Sequence, residues 1–514
     1  MRVLIIGAGP AGLTAAYEFL RTKGAFTVTV FEESNSMGGI SRTVTHNGNR
    51  MDTGPHRFFS KVSEVNAWWQ HMMPSQGALP YDYRTLGQTS QLSPGGPDPD
   101  NTDRVMLRRN RLTRIFFNRK FFDYPISMKF STIRNMGLFT TIAAGFSYLK
   151  AVLHKRPENS LEDFYINRFG KKLYSMFFEY YTQNLWGRHP REISPEWGAQ
   201  RVKGLSIMAI LRDIFGKIFH TKKRHVETSL IEEFSYPKLG AGQIWEITAD
   251  EIRKLGGRII TDAKVTGFHR TGQVITELVY TKDGQEFTES GDVFISSMPV
   301  KDLIAGMNDV PARISQIASG LPYRDYRIAG VLVKNFRLKN DTNTKTFGDI
   351  IPDEWIYIQD RDVRVGRMVI FNNWSPYMVK DIHNTVWLGL EYFCSEGDEL
   401  WSMTDEDFCS FAVSEMLKMG LIASPDDVLD THAERVKKAY PAYFDTYEHM
   451  SELREYLDSI TNLYCVGRNG QHRYNNIDHS MCTAFEAVKV IMSGGTDKSP
   501  IWNVNTEKEY HESK

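Results

Sequence analysis

Three glycines near the start are the first residues whose spacing suggests chemistry. Gly7-Ala8-Gly9-Pro10-Ala11-Gly12 directly follows the apolar run Arg2-Val3-Leu4-Ile5-Ile6, and Leu13 to Arg21 then has helical spacing and composition. A buried strand that turns at glycines and restarts as a helix aims backbone N–H groups and a positive dipole end at one point. That point is a seat for phosphate. Gly7 permits the tight turn, Gly9 the close approach of a pyrophosphate, and Gly12 the contact of helix with strand, and Pro10 and Ala11 of the same turn are expected among the cofactor contacts. The next apolar run, Phe26 to Phe31, ends in Glu32 and Glu33. This is about twenty residues past Gly12, where a carboxylate can accept both hydroxyls of an adenosine ribose and would repel a 2′-phosphate. The pattern predicts dinucleotide binding; the competing reading is a tight turn in an ordinary α/β protein.

A second glycine turn follows in Ser34-Asn35-Ser36-Met37-Gly38-Gly39-Ile40-Ser41-Arg42. Here the chain resembles the FAD proteins of the glutathione-reductase-like superfamily, in the branch that contains amine oxidases, protoporphyrinogen oxidase and UDP-galactopyranose mutase. In that branch a Gly-Gly turn and a downstream cation close over the FAD pyrophosphate, which implies those roles for Gly38, Gly39 and Arg42. Gly54-Pro55-His56, within Asp52 to Phe59, is too rich in breakers and aromatics for a plain strand. By resemblance to the mutases it lies against the flavin ring, with His56 near N5. Val265 matches a position whose backbone meets adenine. Near the C-terminus, Gly467-Arg468 and Asn476-Ile477-Asp478-His479 are similar to the flavin-contacting run of eukaryotic-type mutases. Asp478 is expected to cap a last helix, roughly His479 to Met492, whose N–H groups would favour an anionic flavin.

The substrate side is carried by aromatics and arginines. Tyr180-Tyr181-Thr182-Gln183-Asn184-Leu185-Trp186-Gly187 resembles the Tyr-Thr-x-x-x-Trp-Gly signature of the mutases, which implies Tyr181 on a uracil and Trp186 beside the sugar. Arg201 is the implied first ligand of a diphosphate, Arg367 the second, and Arg188 a weaker candidate. Tyr440 and Tyr443 resemble the tyrosines that donate to phosphate oxygens, and Tyr474 is a further substrate contact. Taken singly, each of these aromatics is more often core filler.

The elements needed to hold these residues suggest an α/β architecture, with a glutathione-reductase-like FAD-binding (Rossmann-type) domain, a helical cap and an antiparallel β-sheet substrate domain. The nucleotide domain is read as discontinuous, from 1–83, 230–320 and 451–495. A mainly helical cap is expected over 105–229 and an antiparallel sheet over 321–450. The breaker-rich stretch 84–104 reads as a flexible insertion and 496–514 as a frayed tail. Ser160 can cap a helix carrying Phe164, Phe169, Leu173 and Phe177.

Composition narrows the classes. The 62 basic and 62 acidic side chains cancel, which offers no electrostatic case for nucleic acid. Cys394, Cys409, Cys465 and Cys482 form no CxxC pair, which fits reduced thiols better than a disulfide framework or a metal site. With no apolar run of spanning length and the nucleotide strand beginning at Arg2, a cytoplasmic protein is expected, with peripheral membrane contact the alternative for the basic segment Lys203 to Arg224.

The implied activity is that of an FAD-dependent nucleotide-sugar pyranose/furanose mutase in cell-surface glycan biosynthesis. Reduced FAD, His56, Arg201 and Arg367 would be its catalytic groups, a UDP-sugar its substrate, and an NAD(P)H-dependent or other donor its source of electrons. The alternatives are an FAD-dependent oxidoreductase or desaturase of the protoporphyrinogen oxidase/amine oxidase type, and a flavin-binding partner without catalysis. No metal site is expected.

Overall fold

The computed structural model describes residues 1–22, 24–124, 126, 130–195 and 233–505. One half of the molecule is built on a five-stranded parallel sheet in the spatial order Leu463–Cys465, Val293–Ser296, Arg2–Ile6, Thr27–Phe31, Arg258–Ile260. Side chains alternate across a strand, and the central strand uses both faces. Val3 and Ile5 pack with Leu13, Ile244 and Ala484 of the helices Pro10–Arg21, Gln243–Lys254 and Ile477–Met492. Leu4 and Ile6 pack the other way, with Val265, Phe268 and Leu278 of an antiparallel sheet formed by Lys264–Thr271, Val274–Lys282 and Gln285–Ser290. Helices, parallel sheet and antiparallel sheet make three layers around one core. The run Arg258 to Val265, which reads as a single strand, is broken at Asp262, where φ is +53°. Its first part joins the parallel sheet and its second the antiparallel one.

The second half is a seven-stranded sheet in the order Val428–Pro441, Tyr323–Val333, Val386–Cys394, Arg367–Ile370, Trp355–Ile358, Thr113–Phe117, Lys120–Asp123. It is antiparallel except where Trp355–Ile358 runs parallel to Thr113–Phe117. The sheet is therefore mixed, and two of its strands come from the stretch expected to be mainly helical. A third strand of that stretch, Met106–Asn110, pairs with Glu233–Pro237. The helices Leu138–Leu153, Leu161–Phe177 and Glu179–Trp186 follow. Ser160 caps the second of these, its Oγ accepting from the Asp163 N–H at 3.2 Å. At Gly170 that helix kinks (φ +76°), and a Cβ there would fall 2.7 Å from the Tyr148 backbone nitrogen. Glycine is what lets the helices Leu138–Leu153 and Leu161–Phe177 lie this close.

Two stretches expected to be loose are tied down. Within 84–104, the Ser93 N–H donates to the Gln76 carbonyl, the Gly77 N–H donates to the Pro97 carbonyl, and Asp100 takes the Arg84 guanidinium and the Tyr377 hydroxyl. In the tail, Ile501 and Trp502 are buried, the Trp502 indole donates to Asp458 at 2.9 Å, and the Asn505 amide donates to Asn475 at the same distance. Among the described residues no helix is long and apolar enough to cross a membrane.

Candidate functional site

Where the two halves meet there is one cleft of about 2070 Å³. Small-molecule pockets are typically ~300–1,000 Å³, so this one has room for a dinucleotide and a second ligand together. Its walls bring together residues far apart in sequence, and nearly every described candidate faces it. The stretch 84–104 contributes no lining residue.

One end of the cleft is formed by Gly7, Gly9, Pro10, Ala11, Glu32, Glu33, Gly39, Arg42 and Val265. Gly9 sits at the N-cap of Pro10–Arg21 with no side-chain cap, leaving the first-turn N–H groups for a ligand. A Cβ on Gly39 would lie 3.3 Å from the Gly9 Cα, so the two glycine turns face each other across a gap that side chains would fill. Gly7, at φ +98°, would place a Cβ 2.3 Å from Ser297 Oγ. The Glu32 carboxylate is aimed by the Ala8 N–H at 2.8 Å and by the N–H and hydroxyl of Ser34 at 3.0 and 2.7 Å. Arg42 is held by Glu434 at 3.0 Å, a partner the sequence did not suggest.

Three of the glycines do not touch the cleft. Gly12 is behind it, where a Cβ would come 1.9 Å from the Gly7 carbonyl oxygen, so its role is helix-to-strand contact alone. Gly38 (φ +100°) turns the chain and donates to the Ala8 carbonyl at 2.9 Å. Gly54 is covered by His56, whose Cε1 would lie 3.0 Å from a Cβ at that position.

Pro55, His56, Gly467, Arg468, Asn476, Asp478 and His479 line the middle of the cleft. Burial, with Arg468 and Arg367 nearby, lowers the His56 pKa to about 3, so the imidazole is neutral. Its Nδ1 is buried and makes no hydrogen bond among the described residues. Arg468 donates to the carbonyls of Asn475 and Ala439, both at 2.9 Å, and lies over the Tyr474 ring. The last long helix is Ile477–Met492, and its N-cap is Asn476 rather than Asp478. Asp478 is instead in the first turn, where it accepts from Ser60 Oγ at 3.0 Å. The Asn476 N–H donates to the His479 ring at 3.2 Å.

The remaining wall is aromatic and cationic. Tyr181, Trp186, Tyr440, Tyr443 and Tyr474 all line it with Arg367. Tyr440 and Tyr474 stack at 5.9 Å, and the Tyr474 N–H donates to the Tyr443 hydroxyl at 2.6 Å. Arg367 donates to the Tyr440 hydroxyl and lies 2.5 Å from Glu391. Burial alone would lower the Arg367 pKa, but the Glu391 carboxylate raises it well above the usual range, so the guanidinium is a fixed charge. Burial raises the Glu391 pKa against the pull of Arg367. Glu391 went unnoticed in the sequence, although a lone carboxylate in the apolar strand Val386–Cys394 was a legible signal. Arg57 and Arg111, also on the lining, lie over the Trp355 ring at 5.9 and 5.3 Å and were missed as well. Arg188 is not on the lining; it pairs with Asp445 at 2.7 Å on the surface. Arg201 lies outside the described residues.

Residues 5–73 match the family described as NAD(P)-binding Rossmann-like domain. A stretch of 37 residues is 62% identical to thiamine thiazole synthase of Thermotoga maritima, spanning 7% of this chain and only 14% of that enzyme. The whole structure is similar to that of a reduced UDP-galactopyranose mutase, with a TM-score of 0.76 over 98% of this chain and 96% of the other, at 19% identity. The chain has the UDP-galactopyranose mutase fold. A putative protoporphyrinogen oxidase from Exiguobacterium sp. 255-15 is also similar, with a TM-score of 0.63, 14% identity and coverage of 95% and 99%. The mutase fold thus extends over both the nucleotide layers and the mixed sheet.

Proposed function

We propose that this protein binds FAD and, with the flavin reduced, interconverts the pyranose and furanose forms of a nucleotide sugar, a UDP-sugar in the first instance, for glycan synthesis. The observation that carries the reading is the single cleft, in which a dinucleotide cradle at one end is continuous with an aromatic and guanidinium wall at the other. The residues present fit FAD. The uncapped helix start at Gly9 and the facing Gly39 would take its pyrophosphate, the aimed Glu32 carboxylate its ribose, and the unpartnered His56 Nδ1 a polar atom of its ring. Reduced FAD would supply an electron-rich ring nitrogen able to attack an anomeric carbon.

The chain's own part is to bind, orient and neutralise. Tyr181 would offer its ring to the base, since stacking on an aromatic plane is favourable for any nucleobase. Trp186 would close the sugar side. As the diphosphate departs it gathers negative charge, and a guanidinium already fixed in a dry cleft stabilises that charge with little reorganisation. Arg367 is assigned this role, with the hydroxyls of Tyr440 and Tyr443 donating to phosphate oxygens and Arg201 as the second cation. His56, kept neutral, can donate or accept one hydrogen bond at Nδ1 without placing another positive charge beside Arg468 and Arg367.

The test is anaerobic. Dithionite-reduced protein is mixed with UDP-galactopyranose and with other UDP-hexoses, and products are separated by anion-exchange chromatography. Pyranose–furanose interconversion without an electron acceptor is the expected result. Turnover only when an acceptor is supplied would move the assignment to an oxidoreductase of the protoporphyrinogen oxidase type, and retained flavin with no turnover to a binding protein.

A further inference from the structure

The helix Leu138–Leu153 buries only Ala144, Tyr148 and Ala151. Its opposite face is apolar and bare: Phe139 is 89% exposed, Leu153 75%, Phe146 70%, Leu138 67%, Leu149 55% and Ile142 47%. Spaced three and four apart, these side chains form one continuous stripe rather than scattered surface apolars. The sequence around this helix carries charge of one sign. Between Asp123 and Glu158 the chain carries Lys129, Arg134, Lys150, Lys155 and Arg156 and no carboxylate. On the adjoining helix, Lys171 and Lys172 are exposed, and the Lys172 N–H donates to Ser147 Oγ at 3.0 Å, which places this pair beside the stripe. Two carboxylates of the following segment are taken, Glu158 by Arg168 at 2.6 Å and Asp163 by Arg156 at 3.8 Å.

We infer that this face is a docking surface for an anionic lipid membrane, on which the helix lies flat. Phenylalanine and leucine on one side of a helix, with lysines at its flanks, fit the boundary between acyl chains and anionic headgroups. A second copy fits less well. An isologous contact would set lysines against lysines across an interface with few carboxylates to relieve them. The helix Leu161–Phe177 lies between the docking face and the cleft, with Leu161, Tyr165 and Phe177 on the cleft lining. Docking would therefore hold the cleft one helix layer from the lipid.

Flotation of the full chain with phosphatidylcholine vesicles, with and without phosphatidylserine, tests this. Binding to the anionic vesicles is expected, with F139E/F146E abolishing it while keeping the native circular dichroism and melting temperature. Lys150→Gln should weaken anionic-vesicle binding about fivefold and leave neutral-vesicle binding unchanged, since one lysine near such a surface contributes ~1 kcal/mol. Three results would overturn the inference. One is equal flotation of F139E/F146E and the native chain. Another is no flotation, with a dimer by light scattering that F139E/F146E converts to monomer, which means the stripe binds a second copy. The last is no flotation together with a lowered melting temperature in F139E/F146E, which means residues 196–232 of the same chain cover it.

Discussion

Glu391→Gln is the substitution that most directly tests how the cationic wall is built. Glu391 is fully buried and Arg367 is 13% exposed, 2.5 Å apart. Removing the carboxylate while leaving the shape intact strands a guanidinium that cannot lose its proton. Stranding one member of a buried pair typically costs ~3–5 kcal/mol. With an unfolding entropy of ~2.1 cal/mol/K per residue, 514 residues give about 1.1 kcal/mol/K, so the melting temperature should fall by about 3–5 °C. The released charge should then seek another anion. UDP should raise the melting temperature of the variant more than that of the native protein, because Arg367 no longer divides its field between Glu391 and a diphosphate. The apolar pair Arg367→Met/Glu391→Leu should recover most of the lost stability, since two uncharged groups have no desolvation to offset, but should show no gain with UDP. Differential scanning fluorimetry over a UDP titration measures the native protein and both variants. A melting temperature for Glu391→Gln within about 1 °C of native, with no added UDP response, would show that Arg367 does not depend on Glu391 and would refute this account of the wall.

Gly12→Ala should abolish dinucleotide binding without touching a ligand, because the added carbon would sit 1.9 Å from the Gly7 carbonyl and must push the helix start off the strand; loss of the bound-flavin absorbance on purification reads this out. Acid should destabilise the fold through His56 and His472, whose pKa values burial lowers to about 3 and about 4. An unfolded histidine takes up its proton near pH 6.5, so the unfolded state binds more protons in this window. Stability is complete above about pH 6.5 and falls as pH drops toward 3, and His56→Gln should flatten that slope in urea unfolding followed from pH 7 to 4. Trp502→Ala should lower the melting temperature by about 3–5 °C, since removing a buried tryptophan costs ~3–5 kcal/mol; a change under 1 °C would mean the 499–505 stretch is not anchored as described.

What the sequence alone determined is what local chemistry dictates. Gly7, Gly9 and Glu32 are legible because a phosphate seat needs its turn, amide groups and carboxylate at fixed offsets along one strand–helix–strand unit. Ser160 reads as a cap because capping is decided within four residues. The strands around Ile328, Trp355, Arg367 and Val386 show as short apolar runs bounded by breakers. Only the tertiary structure decided what depends on partners distant in the chain. The parallel pairing of Trp355–Ile358 with Thr113–Phe117, the Glu391 carboxylate under Arg367, Glu434 holding Arg42, and the anchoring of Trp502 on Asp458 each join segments tens to hundreds of residues apart. None of these pairings can be read from local pattern, because a salt bridge or a strand neighbour constrains position in space and not spacing in sequence; the lone Glu391 in an apolar strand signals a buried partner but not which one. The same reason explains why Gly38 and Gly54, grouped with the cleft-facing glycines by motif, prove to act through the backbone behind the cleft, while Gly12 makes the helix-to-strand contact its spacing suggests. Residue type says that a side chain is missing there; only packing says what would have collided with it.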